Sequence, residues 1–581
     1  MEHEVPYSLA PTISWKQRGA LQASVDQLQQ QAKLPAVLAQ VLVARGIDSP
    51  HKAQQYLAPT LQQLPDPDAF ADMQQTVQRL VHALQRNETI GLFGDYDVDG
   101  VTSTTLLWEF LESLGAHVVG HVPDRLVEGY GMSQQGVQRL QQQGAKLIVT
   151  VDCGISNHNE VAYAVKRGLD VIVIDHHTVP PQMPQAHAVI NPHRPDCQRD
   201  GQHLCAVAIA FNVCIHLRRV LRQQGFFRLR PEPNLSRFLD LVALGTVADV
   251  MPLVHDNRIL VHWGMQHIAQ GHRMGMQALL QAAGLHDREI SSGSLGFHLA
   301  PRINAAGRLD HAMAAVQLLR CRQWQPAWEL AQRLDAHNRQ RREMEQQIVD
   351  QVVQTIQTDP LYEHAPILVV GDEAWHPGVV GIVASRLVDR FARPALVIGA
   401  GGKGSGRSIP AFHLHAALQQ VQQHVAAFGG HAHAVGVSLG SHSLNTLREA
   451  LTQHAQQQLQ PNDLAKTLQY DAVLPLRQVN IDLAQVLKQA APFGRGNPQA
   501  LFRFNHLRAT QARLLKGKHL KGTFCSDGSS SVPFIGFAMQ HKQQLLEQEV
   551  DVLAAVEINQ WQGRQTVQLQ LLDIAAAGQH N

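Results

Sequence analysis

The chain has 581 residues, a formal net charge of only +1, and 44% hydrophobic residues. Domains of roughly 100–200 residues predict three or four folded parts, and the hydrophobic content excludes a largely disordered chain. The near-neutral charge excludes polyanion binding through a global positive field, so any phosphate-binding surface must be local.

Cysteine usage and the terminal sequence bear on the compartment. The six cysteines form no CxxC pair, which is typical of reduced thiols in a cytosolic protein. The N-terminus has no secretory pattern, and no uninterrupted apolar run of about 18 residues occurs. We therefore expect a cytoplasmic protein that does not span a membrane.

The first half of the chain predicts an α/β domain. Residues 1–70 mix helical and loop patterns and form a predicted N-terminal helical extension. Strands that alternate with helices follow, and this order indicates a parallel, doubly wound sheet. With the mostly helical stretch 205–320, the sheet defines a predicted catalytic domain over residues 71–324. The predicted strands cover residues 88–94, 116–121, 145–151 and 170–174.

The second half predicts three further parts. Apolar residues recur every three to four positions in a stretch of about thirty residues, so a long connecting helix of about 50 Å is expected within 325–360. A smaller α/β domain is predicted at 361–460. Five short strands with turns between them predict a small β-barrel within 461–581, and an OB-fold is the leading candidate.

Acidic side chains follow three of the predicted strands. The segment GDYDVDG, residues 94–100, carries carboxylates at alternate positions, and single acids follow later strands or apolar runs. Strand ends of one polarity lie at one edge of a parallel sheet, so these motifs are expected to converge. The residues concerned are Asp95, Asp97, Asp99, Asp152, the triplet Asp175-His176-His177, and Asp249.

Each of these motifs has an ordinary structural interpretation when taken alone. The first could be a calcium-type loop or a solvated turn, and a single Asp after a strand is commonly a helix cap. Together they predict a metal centre, because several carboxylates at one edge would repel each other without cations. Carboxylates with one imidazole suit Mn²⁺ or Mg²⁺, and two ions about 4 Å apart would support phosphodiester hydrolysis.

Two other regions offer candidate phosphate contacts. Gly404 and Gly406 flank Ser405 and are predicted to expose backbone N–H groups in a phosphate nest, although Arg407 beside them could be an ordinary loop residue. In the barrel, three lysines lie near Phe524, a pattern typical either of single-strand binding or of a solvated hairpin. The lysines are Lys516, Lys518 and Lys521.

The acidic and histidine motifs resemble those of the DHH phosphoesterases, and nearly the whole chain, about residues 40–575, resembles the RecJ family within them. Further matching motifs are PRINAAGRL (301–309), WHPGVVGIVA (375–384), GSGRS (404–408), GGH (429–431) and PFGRGNP (492–498). The resemblance implies a 5′→3′ exonuclease on single-stranded DNA that depends on Mn²⁺ or Mg²⁺ and acts in recombinational, mismatch and base-excision repair. It also implies that region 361–460 is a DHH-associated domain.

The resemblance assigns roles residue by residue. His177 would contact the scissile phosphate or orient a ligand, and Phe93 stands where some relatives carry a metal-binding histidine. Residues of 301–309 would line the phosphate path, and residues of the DHH-associated domain would contact DNA. The catalytic and metal-binding residues would be Asp97, Asp99, Asp152, His176 and Asp249, with Asp95 in or beside the ligand set. The nucleic-acid contacts would include Arg302, Asn304, Arg308, Ser405, Arg407 and His431.

Two other functions remain open at this point. One is a DHH enzyme for small substrates, such as pyrophosphate, short oligonucleotides or cyclic dinucleotides, although the barrel and the long helix argue for an extended substrate. The other is a scaffold that has lost its metals, which the complete set of acids argues against. The resemblance implies single-strand-binding protein and a helicase as partners, and we expect a monomer.

Overall fold

The structure is a computed structural model and describes residues 11–124, 128–129, 131–309, 311–526, 530–561 and 563–579. The strands, in chain order, are β1 (Ile13–Gln17), β2 (Thr89–Gly94), β3 (Val118–His121), β4 (Ala145–Val151), β5 (Asp170–Ile174), β6 (Ala188–Ile190), β7 (Leu368–Gly371), β8 (Ala395–Ile398), β9 (Lys403–Arg407), β10 (Ala427–His431), β11 (Ala434–Ser438), β12 (Lys466–Tyr470), β13 (Ala472–Val473), β14 (Phe502–Leu515), β15 (His519–Cys525), β16 (Ser531–Gly536), β17 (Val550–Trp561) and β18 (Arg564–Ala576).

The helices account for most of the remaining regular structure. In chain order they are α1 (Gln22–Gln31), α2 (Ala36–Val43), α3 (Pro50–Leu57), α4 (Met73–Gln85), α5 (Val98–Ser113), α6 (Gln134–Gln142), α7 (His158–Lys166), α8 (Ala206–Gln223), α9 (Leu239–Ala248), α10 (His255–Gln270), α11 (Met274–Ala282), α12 (Ala300–Leu309), α13 (Met313–Arg320), α14 (Trp324–Thr358), α15 (Val380–Phe391), α16 (Leu414–Gln420), α17 (Leu444–Gln458) and α18 (Ile481–Lys488).

The chain forms two compact units. The large unit contains Gln22–Asn338 together with Gln485–Gln499. The composite unit contains Met1–Leu21, Arg339–Ala484 and Ala500–Asn581, of which the first ten residues lie outside the described part. Segment 485–499 therefore packs with a part of the chain that precedes it by more than 140 residues.

The large unit is built on a five-stranded sheet in the order β3-β2-β4-β5-β6, and every pair in it is parallel. Its strands are almost wholly buried, as expected when helices cover both faces of a parallel sheet. The four strands predicted for this region are confirmed. The short strand β6 was not predicted, because three apolar residues are too few to give a pattern.

The composite unit contains a second five-stranded sheet, in the order β10-β11-β9-β8-β7. Only β7 and β8 are parallel, and the other neighbours are antiparallel. The C-terminal strands form a closed barrel, since β14-β15-β16-β18-β17 is completed by pairing of β14 with β17. The predicted OB-like barrel is thus confirmed, with a core that includes Phe502, Phe504, Phe524 and Phe534.

Two features link distant parts of the sequence. The predicted long helix is confirmed as α14; Ala327, Ala331 and Leu334 belong to the core of the large unit, and Val352 and Ile356 belong to a core of the composite unit. Strand β1 pairs in parallel with β12. The prediction for residues 1–70 contained helices and loops and no strand, so it missed β1. A strand whose partner lies some 450 residues away gives no local signal.

In the part of the chain that is described, no helix is both long and apolar enough to cross a membrane.

Candidate metal centre

The first acidic motif forms the turn between β2 and α5. Asp97 caps the helix: its Oδ1 accepts hydrogen bonds from the backbone N–H groups of Asp99 (2.9 Å) and Gly100 (3.1 Å). Gly100 lies so close to the backbone of Asp95 that a Cβ there would overlap it. The glycine therefore permits the turn that presents the acids at the carboxyl end of β2.

Asp99 lies at the amino terminus of α8. Its carboxylate accepts hydrogen bonds from the backbone N–H groups of Ala206 (2.7 Å) and Val207 (2.9 Å), and the residue is only 1% exposed. Burial, followed by the charge of Asp97, raises the pKa of Asp99 to about 7 despite these hydrogen bonds. The helix terminus holds the carboxylate in place and leaves its charge only partly compensated.

Asp152 follows β4 with a left-handed backbone, φ 62°, which is strained for a residue with a side chain. Helix α7 begins only at His158, so Asp152 is not a helix cap. Burial, followed by the charges of Asp97 and Asp99, raises its pKa well above the usual value. The ordinary interpretation of this acid is therefore wrong, and the strained backbone is typical of a functional position.

Asp175 organises the histidine pair after β5. One of its carboxylate oxygens accepts from Ile155 N (3.0 Å), and the other accepts from the backbone N–H groups of His176 and His177 and contacts His177 Nδ1 at 2.7 Å. Burial opposes charge on His177, but this contact and the Asp175 charge outweigh it and raise its pKa to about 9. Burial lowers the pKa of His176 to about 4.

The motifs converge on the imidazole of His176. Its Nε2 lies 3.2 Å from Asp152 Oδ1, 3.5 Å from Asp249 Oδ2 and 3.8 Å from Asp99 Oδ2. Among the residues that the structure describes, three sets of side chains offer ligand atoms that lie within 4.8 Å of one another. They are Asp152-His176-His177, Asp99-His176-Asp249 and Asp95-Asp97-Asp152. The structure thus brings every predicted metal ligand into one cluster of the large unit.

The donor set fits divalent cations. Asp249 ends α9, and burial, then the charges of Asp99 and Asp97, raise its pKa to about 8. Its Oδ2 is buried and accepts no hydrogen bond from the described residues. Clustered buried carboxylates are costly unless a cation lies between them. Carboxylate oxygens with one neutral imidazole suit Mn²⁺ or Mg²⁺.

Phe93 supplies no ligand. Its ring is fully buried in the core beside the sheet and meets His121 edge-on, with 5.1 Å between ring centroids. The ligand set described above comes from other positions.

Helix α12 carries the three contacts predicted in 301–309. A Cβ on Gly307 would lie 2.7 Å from the carbonyl oxygen of Tyr96, so the helix packs against the first acidic motif. Arg302 is nearly buried and donates to Asp335 (Nε, 3.0 Å) and to the carbonyl oxygen of His298 (2.6 Å). Most of its donors are thus used within the protein. Asn304 and Arg308 are half-buried on the same helix.

The composite unit places the other predicted contacts of the DHH-associated region together. Arg407 on β9 and His431 on β10 both pair with Ala434 of β11, so they flank it in one row across the sheet. A Cβ on Gly381, in the first turn of α15, would lie 3.3 Å from Ser405 Oγ and 3.5 Å from Arg407 Nη2.

The predicted phosphate nest is wrong. Gly404 and Gly406 lie inside β9, whose backbone pairs with β8 on one side and β11 on the other. A Cβ on Gly404 would lie 2.7 Å from Val437 and 2.9 Å from Ile398. These glycines therefore allow close packing of the sheet and do not form an exposed loop of N–H donors.

The three predicted lysine contacts are exposed at or beside the hairpin between β14 and β15. Phe524 cannot take part in the predicted single-strand binding, because it is fully buried and stacks on Phe534 in the barrel core, with centroids 4.1 Å apart. The exposed aromatic near this hairpin is Phe537, which is 53% exposed and meets His519 edge-on. Lys516, Lys518 and Lys521 remain predictions.

Arg495, in the PFGRGNP motif, received no role from the sequence patterns. Its charge opposes the rise in the pKa of Asp249, so the guanidinium lies within electrostatic reach of the centre. The two residues are 246 positions apart in the chain, and only a three-dimensional structure could bring them together.

Comparisons with known proteins agree with this architecture. Residues 89–246 match the DHH family N-terminal domain, residues 364–457 the DHHA1 domain and residues 470–573 the RecJ OB domain. The single-stranded-DNA-specific exonuclease RecJ of Escherichia coli (strain K12) is 37% identical over 560 residues, covering 93% of this chain and 95% of the relative.

Solved structures agree as well. A crystal structure of RecJ in complex with Mn²⁺ from Thermus thermophilus matches with a TM-score of 0.80 and 28% identity, covering 97% of this chain and 79% of that one. The Mg²⁺ complex from the same organism matches with a TM-score of 0.76 and 27% identity, covering 97% and 78%. The chain belongs to the RecJ family of single-stranded-DNA-specific exonucleases, with DHH, DHHA1 and RecJ OB domains.

Proposed function

We propose that this protein is a metal-dependent exonuclease that hydrolyses single-stranded DNA from the 5′ end through a two-metal centre. The observation that carries the proposal is the convergence of five aspartates and His176 at one edge of the parallel sheet. Family membership supplies the substrate class, and the barrel at the C-terminus supports a polymeric substrate, since OB-folds commonly bind oligonucleotides.

The predicted ligands divide between two ions. Asp99, His176 and Asp249 would hold one, and Asp95, Asp97 and Asp152 would hold the other, with Asp152 close enough to serve both. Two bound Mn²⁺ or Mg²⁺ ions would make a water nucleophilic at neutral pH and neutralise charge on the phosphate.

The surrounding residues keep these ligands in position. The amino terminus of α8 fixes Asp99, and the helix cap at α5 fixes Asp97. Asp175 holds His177 through Nδ1, and this ring, about one-third exposed, would contact the scissile phosphate. The chain thus supplies a rigid donor set and one imidazole for the substrate.

Further contacts would lie along the DNA strand. We propose Asn304 and Arg308 on α12 as phosphate contacts, with Arg302 acting mainly through its ion pair with Asp335 to hold that helix. Ser405, Arg407 and His431 would contact the strand in the DHHA1 domain. Lys516, Lys518 and Lys521 would attract its backbone at the barrel.

The cellular role proposed is DNA recombination and repair, including mismatch and base-excision repair. The protein would act as a cytoplasmic monomer together with single-strand-binding protein and a helicase.

The direct test is digestion of single strands labelled at the 5′ or the 3′ end with Mn²⁺, Mg²⁺ or EDTA. Release of the 5′ label first, activity with either metal and none in EDTA are expected, and a blunt duplex should resist. Release of the 3′ label first would refute the polarity. A preference for dinucleotides over long strands in a length series would favour a small-substrate phosphodiesterase instead.

The barrel contacts have a separate test. Replacing Lys516, Lys518 and Lys521 by Gln should weaken binding of long strands and reduce the salt dependence by about 0.7 per lost phosphate contact. Short oligonucleotides should be cleaved nearly as well as before. An unchanged salt slope would show that this hairpin is a solvated surface.

A further inference from the structure

The loop of the PFGRGNP motif docks on the segment that follows Asp249. The N–H of Leu253 donates to the carbonyl oxygen of Arg495 (2.7 Å). Gly494 and Gly496 allow this approach, since a Cβ would lie 2.8 Å from Leu253 Cδ1 and 3.1 Å from Pro252 Cβ respectively. The backbone at Arg495 is thus anchored to Pro252 and Leu253, which follow the proposed metal ligand Asp249 by three and four residues.

A buried network holds this loop from the other side. Asn497 donates to the carbonyl oxygens of Ala490 (2.9 Å) and Pro492 (2.7 Å) and accepts from Tyr56 Oη (2.6 Å). Arg258 donates to the carbonyl oxygens of Ala490 (3.0 Å) and Ala491 (2.7 Å). The position of residue 495 therefore depends on the backbone and on Asn497, and the Arg495 side chain is not needed to hold it.

The Arg495 side chain is exposed and weakly held. Within the described residues its only side-chain hydrogen bond is a long one, 3.5 Å from Nη1 to the carbonyl oxygen of Val250, and it forms no ion pair. Val250 adjoins Asp249 in sequence. A planar guanidinium with donors available thus stands at the rim of a cluster of carboxylates.

We propose that Arg495 forms a phosphate-binding site at the rim of the metal centre and contacts a non-bridging oxygen of a bound DNA phosphate. The inference rests on the proposed nuclease function and adds a contact to it. A guanidinium suits this role because its fork of N–H donors matches the geometry of phosphate oxygens. It would also offset the repulsion between the acidic cluster and an approaching strand.

The test compares Arg495→Gln with the wild-type protein in the binding of fluorescein-labelled oligo-dT, measured by anisotropy in EDTA over a range of salt. The anchored backbone should let the variant fold. We expect about 10-fold weaker binding at low salt, as for loss of one charge-assisted hydrogen bond. The salt slope should fall by about 0.7, the value for one single-strand phosphate contact.

Arg228→Gln is the matched control. Arg228 is exposed in the same unit and follows the far end of α8, a helix of 18 residues whose amino terminus holds Asp99. The length of α8, about 27 Å, therefore separates Arg228 from the centre. Its replacement removes the same charge and should leave affinity and salt slope unchanged.

A second measurement uses the enzyme with Mn²⁺. Arg495→Gln should raise KM for oligo-dT about 10-fold and change kcat much less, and Arg495→Lys should recover part of the loss. Equal affinity, slope and KM in wild type and Arg495→Gln would overturn the inference while leaving the nuclease assignment intact. Equal losses in both control and test variants would also overturn it. A wild-type protein that neither binds nor cleaves single strands would refute the proposed function itself.

Discussion

The two five-stranded sheets of this protein carry their polar residues in different places. In the all-parallel sheet of the large unit, Asp97, Asp152 and His176 stand just beyond the carboxyl ends of β2, β4 and β5. In the mixed sheet of the composite unit, Ser405 and Arg407 lie inside β9, paired on both sides. Polar residues next to glycines therefore occur in two different local structures, a loop that follows a strand in one sheet and the interior of a strand in the other.

The difference follows from strand direction. Parallel strands place all their carboxyl ends at one edge, so acids at strand ends must meet there. A mixed sheet gives no such rule, and its polar residues come together only through the pairing register, as Arg407 and His431 do across Ala434. The first site can be anticipated from a chain of predicted strands, whereas the second requires the pairing to be known.

The largest expected effect tests the parallel edge. Asp97→Asn or Asp152→Asn should lower exonuclease activity with Mn²⁺ by about 1000-fold or more, because metal stabilisation of phosphate charge contributes several kcal/mol. Asn at 97 can still cap α5, so the circular dichroism spectrum should remain that of the wild type. Asp359→Asn, at another helix-capping aspartate, should retain full activity. Near-normal turnover by either test variant would refute the two-metal centre.

The next effect tests the packing role of glycine in the mixed sheet. Gly404→Ala should lower the free energy of unfolding by about 1–3 kcal/mol, because the new methyl group would overlap Val437 and Ile398. Gly436→Ala is the control, since a Cβ on this residue of the neighbouring strand meets nothing within 4 Å. Denaturant unfolding measures both. Equal stability of the two variants would contradict the packing role of Gly404.

Much of the architecture was predictable because its signals are local. Buried parallel strands give continuous apolar runs, and the barrel strands are segments separated by turn residues. Both kinds of strand can therefore be predicted from the sequence. Strands β9 to β11 were not, since segments such as Lys403–Arg407 are rich in glycine and lack the β-branched residues that mark strands. Phe524 was misplaced because period-2 alternation does not tell which face of a barrel strand is interior.

The metal cluster could be predicted from the topology of the sheet, but the hydrogen bonds that hold its residues in place could not. Neither the capping of α8 by Asp99 nor the hold of Asp175 on His177 could be read from spacing, because each joins elements or atoms whose positions depend on tertiary packing. The position of Arg495 near the centre was the hardest feature to predict, since its segment follows the whole DHHA1 domain in the sequence.

A smaller effect is expected at Arg407. Arg407→Gln should weaken binding of single strands by about 3- to 10-fold and leave Mn²⁺ binding unchanged, because it would remove one proposed phosphate contact and no proposed metal ligand. Isothermal titration with Mn²⁺ and anisotropy with oligo-dT separate the two properties. Arg477→Gln, an exposed arginine of the same unit, should leave both properties unchanged. Unaltered DNA affinity in Arg407→Gln would leave the row across the mixed sheet with a structural role only.

The smallest effect concerns the metal-free protein. Burial, then like charges, raise the pKa values of Asp99 and Asp249 to about 7 and about 8, far above the value of about 3.8 for a free carboxyl. The folded state thus binds protons more tightly than the unfolded chain. Stability from these groups is therefore full below about pH 4 and is lost as pH rises towards 8. Asp97→Asn removes one repulsive charge and should stabilise the metal-free protein by about 1 kcal/mol at pH 8.

Thermal unfolding in EDTA from pH 5 to pH 8 measures this effect. The Tm advantage of Asp97→Asn should be largest at pH 8 and shrink towards pH 5, because the neighbouring carboxyls then become neutral and no longer repel residue 97. Added Mn²⁺ should reverse the order, since the wild type gains a ligand charge that the variant lacks. Asp359→Asn should show no such dependence on pH or metal. A constant Tm difference across this range would mean that the acids at the sheet edge do not repel one another, and the electrostatic case for cations there would fail.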